Sequence, residues 1–311
     1  MKLFGYDIRR ETRASPEDPR VPISAENFLE FMGIDNTKLP AVTLASALTV
    51  PAFAAAVTFL PSTLANLPLH VFKSKKDGTE KLPGALQSLV NEAPNDEWTS
   101  YDWRKYHWHQ VFTGGRGLSW IERNGPETLG IWPMEPSKTV VKRVNGRKFY
   151  EFQGKKGQIS AADVIDTPFL LKPDQTGAYS PFVMAKKALQ LALAMGDYAS
   201  GFFAGGGVPP LALIGPMPTG PEAVKRAQGD IKRAIGAAKS NGDAVFPIPS
   251  GYELKPVGFD PAKGQMTEAR LFQVQEIARI YGLPPVFLQD LSRGTFANVE
   301  QQDLYLVKHL I

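Results

Sequence analysis

Residues 276–288 read EIARIYGLPPVFL, and this stretch decides how the C-terminal third of the chain is organised. The first half has the character of a helix. Gly282 followed by Pro284-Pro285 ends that helix, because glycine suits the position after a helix and proline cannot continue one. Three bulky apolar residues follow at 286–288. Exposed apolar loops are uncommon, so the surroundings of 286–288 determine what this segment does.

Length and composition describe a chain that buries a sizeable core. The chain has 311 residues, about two domains by length, with 43% hydrophobic and 21% charged residues. A net charge of +4 permits contact with nucleic acid without indicating it. Because cysteine is absent, disulfides, cysteine-ligated zinc, iron–sulfur clusters and thiol catalysis are excluded.

One uncharged segment, residues 39–72, is long enough to imitate a membrane span. Pro51, Pro61 and Pro68 interrupt it, so we expect a buried helix pair instead of a membrane helix. Residues 1–38 lack the apolar run of a signal peptide and are predicted to form a polar N-terminal arm. We therefore expect no membrane partner.

Residues up to about 215 are predicted to form one α+β domain. The patterns predict helices at 43–66, 85–91, 101–113 and from 181 onward, and strands at 67–72, 117–123, 128–134, 138–152 and 163–167. Thr99 or Ser100 would cap the third helix, and Ser180 would cap the fourth with Pro181 at its first position. Asn145-Gly146 predicts a hairpin turn.

The later segment is predicted to be two helices around a small hairpin. A capping box at 219–222 begins the first helix, and Asn241-Gly242 ends it. Residues 244–259 predict the hairpin, and 262–282 the second helix. A further helix starts near Asn298 and is still running at residue 311, which suggests that the sequence continues in a longer chain.

Two glycines lie seven residues apart within the first late helix. Gly229 and Gly236 each cost about 1 kcal/mol relative to alanine in a helix interior, and both face the same way. We interpret them as sites of close packing against a neighbouring element or another subunit. A merely weak helix is the alternative.

The sequence contains no recognisable catalytic, cofactor or metal motif. The Walker phosphate-binding motif and the Gly-x-Ser-x-Gly elbow are absent, and the glycines at 205–207 follow a predicted helix instead of opening one. His107 and His109 diverge on a helix, which disfavours a metal pair. We therefore expect no catalytic residue, no cofactor, no metal site and no enzymatic activity.

The first late helix is the main candidate for contact with nucleic acid. Its five cations are Lys225, Arg226, Lys232, Arg233 and Lys239. A solvated polar face is the alternative interpretation. Because no element carries a signature for reading bases, contact with DNA would use the phosphate backbone without sequence preference.

Five regions then combine into a recognisable order. They are LTVPAFAAAVTFLPSTLANLPLHVFK (48–73), NEAPNDEWTSYDWRKYHWHQVFTGGRG (91–117), IWPMEPSKTVVK (131–142), GAYSPFVMAKKALQLALAMGDYASGFFAGGGVPP (177–210), and EARLFQVQEIARIYGLPPVFL (268–288) followed by TFANVEQQDLYLV (295–307). Over nearly its full length the chain resembles the portal proteins of tailed bacteriophages with long, non-contractile tails. Gly205-Gly206 is a local departure, since the family often has Asn-Gly there.

The resemblance implies an α+β portal-type fold whose parts can be placed on the sequence. They are an N-terminal arm at 1–38, an α+β wing at 39–218, stem helices at 219–240 and 262–283, a clip hairpin at 241–261, a tunnel loop at 284–297, and at 298–311 the start of a helix leading to a helical crown that the sequence lacks. In a ring, residues 286–288 would pack against the adjacent subunit and carry the loop into the channel.

The resemblance also implies a function and partners. The chain would be a non-enzymatic subunit of a homo-oligomeric ring, a dodecamer in the virion, at one capsid vertex. Double-stranded DNA would pass through the ring during packaging and ejection. The clip would meet the packaging motor (terminase) and later the head–tail connector, and the ring would contact capsid protein. Assembly would take place in the cytoplasm of a bacterial host.

Site residues follow from the same resemblance. The candidates for contact with DNA are Arg293 in the tunnel loop and the five cations of the first late helix. Gly229 and Gly236 are the candidates for stem packing, and Gly282, Pro284 and Pro285 are those for the hinge between stem and tunnel loop. The candidate clip residues are Phe246, Tyr252 and Lys255. The alternatives are a DNA-binding module, with or without sequence preference, and an enzyme with an unrecognised site.

Overall fold

The computed structural model describes most of the chain and divides it into two compact units. The described residues are 2–3, 6–7, 41–75, 78–204, 211–214, 225–226, 229–230, 233, 253–256, 266–290, 304, 306 and 308. The first unit comprises Met1–Gly196 with Thr267–Ile311, and the second comprises Asp197–Met266. Both helices and strands are present, as the α+β prediction requires.

Seven helices have described bounds. They are α1 (Leu44–Ala47), α2 (Pro51–Asn66), α3 (Ala85–Asn91), α4 (Ser100–Gly114), α5 (Pro181–Met184), α6 (Lys186–Ala204) and α7 (Met266–Ile280). Short 3-10 turns lie at Pro136–Lys138, Ala161–Asp163 and Pro285–Leu288. No helix among the described residues is both long enough and apolar enough to cross a membrane.

The described strands form five small antiparallel sheets. They are β1 (Lys2–Leu3), β2 (Tyr6–Asp7), β3 (Phe72–Lys75), β4 (Gly78–Lys81), β5 (Arg116–Asn124), β6 (Glu127–Met134), β7 (Thr139–Val144), β8 (Arg147–Phe152), β9 (Ile159–Ser160), β10 (Val164–Pro168), β11 (Leu211–Ile214) and β12 (Glu253–Pro256). The two three-stranded sheets have the orders β10-β5-β6 and β7-β8-β9, and β1-β2, β3-β4 and β11-β12 are pairs.

The larger core of the first unit is helical. Helix α2 contributes Phe53 and Val57, helix α6 contributes Leu189, and helix α7 contributes Ile277 and Ala278, all fully or almost fully buried. The apolar segment near residue 50 therefore serves this core. Pro51 occupies the first position of α2, where its missing N–H is not needed.

Pro61 lies inside α2 and does not interrupt it. Its ring is buried on the core side of the helix, so the lost backbone hydrogen bond is offset by packing. The expected single helix at 43–66 is instead divided before Pro51, because α1 ends at Ala47 and the chain turns through residues 48–50.

The predicted capping residues of α4 and α5 are confirmed. The Thr99 side chain accepts a hydrogen bond from the backbone N–H of Asp102 at 3.1 Å, and α4 begins at Ser100. The Ser180 side chain accepts from Val183 N–H at 3.2 Å, with Pro181 at the first position of α5. These contacts satisfy N–H groups that a helix start leaves unpaired.

The predicted strand at 67–72 is wrong, because only Phe72 of that range belongs to a strand. The preceding backbone pairs with side-chain amides of α3. Val71 N–H donates to Gln87 Oε1 at 2.9 Å, and Leu69 N–H donates to Asn91 Oδ1 at 3.0 Å. Long-range amide contacts replace a strand partner, and local propensity cannot reveal them.

In the second unit, the strand predicted within 244–259 is present as β12. Its described partner is β11, with Leu211 opposite Pro256 and Ile214 opposite Glu253. The other predicted half, residues 244–250, lies outside the described residues. The pairing with β11 was not predicted.

Candidate functional site

The end of helix α7 is closed by a two-bond capping motif around Gly282. Gly282 N–H donates to Arg279 O at 3.2 Å, and Leu283 N–H donates to Ala278 O at 3.0 Å. Gly282 has φ of 65°, the left-handed conformation that this motif requires and that glycine adopts most readily. Leu283 is buried beside Ala278 in the helical core. The predicted stop at Gly282 is therefore present in full.

The Pro-Pro segment continues as a 3-10 turn that packs on helix α2 of the same chain. Leu288 is 6% exposed within the helical core, and the Phe287 ring stacks on Phe59 with centroids 5.2 Å apart. Packing of 286–288 against an adjacent subunit stays a prediction, because only Leu288 is buried within its own chain, while Val286 and Phe287 are half-buried. The chain's own core covers Leu288 and part of Phe287, which lowers the cost of exposing this segment.

Tyr281 anchors the same junction from the other side. Its hydroxyl donates to the backbone carbonyl of Phe112 at 2.9 Å, and its ring lies 6.3 Å from that of Phe53. Burial raises the pKa of Tyr281, so the side chain stays neutral at physiological pH. Helices α2, α4 and α7 thus meet where the chain leaves α7.

The direction in which the chain leaves the Pro-Pro segment is set by the last described residues of that segment. Gln289 adopts a left-handed φ of 65°, and its N–H bonds to Val286 O at 3.0 Å. Asp290 N–H bonds to Pro285 O at 3.2 Å. Gly282, Pro284 and Pro285 thus belong to an anchored turn. Their role as a hinge stays a prediction, and Arg293 lies outside the described residues.

The cations predicted to face DNA are only partly described. Lys225, Arg226 and Arg233 lie at helical positions and are exposed. Arg233 donates to Asp230 at 2.6 Å on the surface, an ion pair of little energetic weight. The predicted site residues that lie outside the described residues are Lys232, Lys239, Gly236, Phe246 and Tyr252.

Two further predicted residues can be placed in the second unit. Lys255 lies in β12 opposite Ala212. Gly229 is helical, and a Cβ added there would meet no atom within 4 Å. Packing within the described part of the chain thus does not require a glycine at 229. Close packing on another subunit remains a prediction.

A buried polar network around His107 was missed at the sequence level. The His107 Nδ1 atom lies 3.2 Å from Ser119 Oγ, and Nε2 lies 3.0 Å from Thr167 Oγ1. Trp103 Nε1–H donates to the same Ser119 oxygen at 3.0 Å. Burial lowers the pKa of His107 to about 4, which the nearby Asp166 offsets only in part. The imidazole is therefore neutral and joins α4 to the β10-β5-β6 sheet.

A buried ion pair adjoins this network. Arg116 Nε lies 2.9 Å from Asp166 Oδ1, although the N–H is not aligned for a hydrogen bond. Tyr150 donates its hydroxyl to Asp166 Oδ2 at 2.6 Å, and Lys148 donates to the same oxygen at 3.4 Å. Burial and the hydrogen bond to Asp166 raise the pKa of Tyr150. The cluster links the two three-stranded sheets.

These polar groups fit a structural role better than a chemical one. Ser119 is fully buried, so a substrate cannot reach its hydroxyl beside His107. Within the described ranges, no group of three His, Cys, Asp or Glu side chains is placed to hold a metal ion.

Comparison with known proteins gives one consistent family. The family model described as phage portal protein matches residues 51–311. The chain is 29% identical over 277 residues to the probable portal protein of Streptomyces phage phiC31, and 23% identical over 299 residues to the portal protein of Enterobacteria phage HK97. These alignments cover 82% and 93% of this chain, but 58% and 68% of the two relatives.

Solved structures share the fold. An HK97 family phage portal protein from Corynebacterium diphtheriae matches with a TM-score of 0.57 at 17% identity, covering 85% of this chain and 83% of that one. The neck of a native gene transfer agent particle, computed with C12 symmetry, matches with a TM-score of 0.55 at 18% identity, covering 86% and 76%. The portal-type α+β fold expected from the sequence is confirmed.

His107 should make folding stability depend on pH. The pKa of His107 is about 4 in the folded chain and its ordinary 6.5 in the unfolded chain. Between pH 4 and pH 6.5, therefore, only the unfolded chain binds a proton at His107. Stability is complete above pH 6.5 and falls toward pH 4, by about 3 kcal/mol in total. In urea unfolding, His107→Gln should remove this contribution, while replacing the exposed His70 with Gln should not. Equal pH slopes in both variants would contradict this prediction.

Leu288→Ala tests where the Pro-Pro segment packs. Because Leu288 lies in the helical core of its own chain, its truncation should lower the free energy of unfolding by about 2–4 kcal/mol even in dilute protein. The matched control is Leu304→Ala, because Leu304 is 57% exposed and should cost little. If Leu288→Ala changed stability only in assembled protein, packing against a neighbouring subunit would be the correct interpretation.

Proposed function

The chain belongs to the phage portal protein family, and from that premise we propose that it is one subunit of a ring-shaped conduit for DNA at a capsid vertex. The observation that carries this proposal is the family match over residues 51–311. This range includes every described helix and strand of the first unit from α2 onward. The chain spans 58% of the length of its phiC31 relative, so the function proposed here is that of a subunit core.

We propose a homo-oligomeric ring of twelve subunits within a virion. The gene transfer agent necks that share this fold were computed with C6 and C12 symmetry, which supports a ring with one of these symmetries. Closed rings form when a head-to-tail contact repeats through a fixed rotation. The role is structural, without catalysis or a cofactor.

The proposed subunit anatomy draws on both units of the structure. The wing includes α2 to α6, although the last residues of α6, 197–204, belong to the second unit, and α7 is the second stem helix. The clip includes β12 and, as its described partner, β11, so residues 211–214 are assigned to the clip and not to the wing. The first stem helix includes the described helical residues 225–226, 229–230 and 233.

The tunnel loop starts from a fixed point in this arrangement. The motif at Gly282 and the buried Leu288 hold the chain at the end of α7, and the part of the predicted 284–297 loop beyond Asp290 is proposed to extend from there into the channel. A loop that contacts moving DNA benefits from a rigid base, because its position relative to the channel wall is then defined at little entropic cost.

Contact with DNA is proposed to be electrostatic and independent of sequence. The exposed Lys225 and Arg226, together with Arg293, supply cations that can approach phosphates, while no described element presents a base-reading helix. The clip is proposed to meet the packaging motor, or terminase, and later the head–tail connector. The wing is proposed to contact capsid protein, with assembly in the cytoplasm of a bacterial host.

Electron microscopy and light scattering test the ring. The 311-residue chain, or the same chain extended to the length of its relatives, should form particles of uniform high mass with a central hole. Strictly monomeric protein at every concentration would overturn the proposed function. Monomeric protein that still binds duplex DNA in a salt-sensitive way would identify a DNA-binding module instead.

Arg293→Ala tests contact between the tunnel loop and DNA. The substitution should leave ring assembly intact. Because it removes one phosphate contact per subunit, packaging of DNA into capsids should fall. Arg123→Ala is the matched control, because Arg123 pairs with Asp163 at 3.0 Å on the wing sheet. Packaging that is unchanged, or reduced equally by both substitutions, would reject the proposed role of Arg293.

A further inference from the structure

Helix α3 is an unusual element because none of its residues is buried. A seven-residue helix is not stable on its own, and helices of this kind gain stability by covering an apolar face. One face of α3, with Ala85, Ser88 and Leu89, lines a groove of about 340 Å³. Thr128 and Leu129 of β6 form the opposite wall, and Leu129 is 50% exposed. This α3–β6 groove is open in the single chain.

The rim of the α3–β6 groove is acidic. Glu92 and Glu127 both line it and are exposed. Within the part of the chain that the structure describes, neither carboxylate forms an ion pair. The groove therefore suits an occupant with an apolar centre and flanking cations.

A second surface of the same unit has those properties. Its apolar residues are Leu170, Leu171, Tyr179, Val183 and Met184, each between 41% and 62% exposed. We name this set the 170–184 knob. Lys172 and Lys186 flank it and are exposed. Five large exposed apolar side chains on one short segment of chain are more than a surface that faces only water usually carries.

The 170–184 knob is preorganised by its backbone. Tyr179 N–H donates to Leu170 O at 2.8 Å, and Leu171 and Ala178 form an antiparallel bridge. Asp174 accepts N–H bonds from Thr176 and Gly177 in the connecting turn. A surface already held in shape loses little entropy on binding.

The groove and the knob lie at opposite ends of helix α4. At its start, Ser100 N–H donates to Glu92 O at 2.8 Å, beside the groove. At its end, Ser180 Oγ donates to Thr113 O at 2.8 Å, beside the knob. Since α4 has 15 residues, the two surfaces are separated by roughly 22 Å along its axis. They cannot meet within one chain.

We propose that the 170–184 knob of one subunit docks into the α3–β6 groove of the next subunit. This contact deepens the proposed function, because it rests on the ring and supplies its head-to-tail interface. Two different surfaces at opposite ends of one element generate a ring when the rotation between copies closes. Specific contacts bury about 1,600 Å² in total, and the knob and groove would form the uncharged centre with lysines and glutamates at the rim.

Thiol crosslinking tests the contact directly, since the chain contains no cysteine. The double variant Ser88→Cys/Val183→Cys carries one thiol in the groove and one on the knob. Treated with a short bismaleimide reagent, it should give a ladder of covalent multimers on a denaturing gel. A second pair, Thr128→Cys/Met184→Cys, repeats the test with different side chains, in case one substitution disturbs folding.

Single-thiol variants show whether the contact is head-to-tail. Ser88→Cys alone and Val183→Cys alone should give no crosslinked dimer, whereas a mixture of the two should give dimers and no longer species. A dimer from either single variant would mean that like surfaces meet, which would overturn the proposed pairing of knob with groove.

Charge reversal tests the rim independently. Glu92→Lys/Glu127→Lys and Lys172→Glu/Lys186→Glu should each raise the protein concentration needed for half assembly by about tenfold or more, because like charges then face each other. Combining all four substitutions in one chain should restore assembly. Lys142→Glu, on the β7-β8-β9 sheet, is the control and should have no effect.

The outcomes separate this contact from the ring itself. A wild-type ring seen by microscopy without crosslinks from either thiol pair would overturn the contact and leave the proposed function standing. A wild-type chain that never assembles would overturn both. Crosslinks, a dimer-only mixture and rescue by the combined charge reversal would together establish the contact.

Discussion

The junction at the end of helix α7 depends on one physical constraint, which is the burial of the residues on both sides of Gly282. Tyr281, Leu283 and Leu288 are each at most 6% exposed, and together they tie the chain to helices α2 and α4. Burying three such side chains is worth several kcal/mol. The left-handed Gly282 makes this possible, because it turns the chain back onto the core within one residue.

This burial explains why the uncharged segment near residue 50 is so apolar. Helix α2 is covered by α4, by α6 and by the junction, and Phe53 contacts aromatic rings of two other elements, Phe182 and Tyr281. Most residues of α2 are buried or half-buried, which disfavours charged side chains there. Its resemblance to a membrane span is thus a consequence of the packing that also fixes where the Pro-Pro segment leaves α7.

Local chemistry made much of the fold predictable, and non-local contacts account for the errors. Thr99, Ser180 and the Asn145-Gly146 turn act through neighbours within three residues, so their effects can be read directly from sequence. The strand predicted at 67–72 and the partner of β12 depend on elements distant in the chain. For the site, the stop at Gly282 was predictable, but the stacking of Phe287 on Phe59 was not.

The buried polar network and the apolar junction make different contributions to the first unit. His107 links α4 to the β10-β5-β6 sheet, and Asp166 links that sheet to β8, through directional hydrogen bonds that specify position more than they add stability. The apolar contacts at Leu288 and Tyr281 supply the stability. Helix α4 takes part in both, and its two ends also carry the open groove and the exposed knob. A rigid α4 would therefore hold the spacing between these two surfaces constant from subunit to subunit, which a closed ring requires.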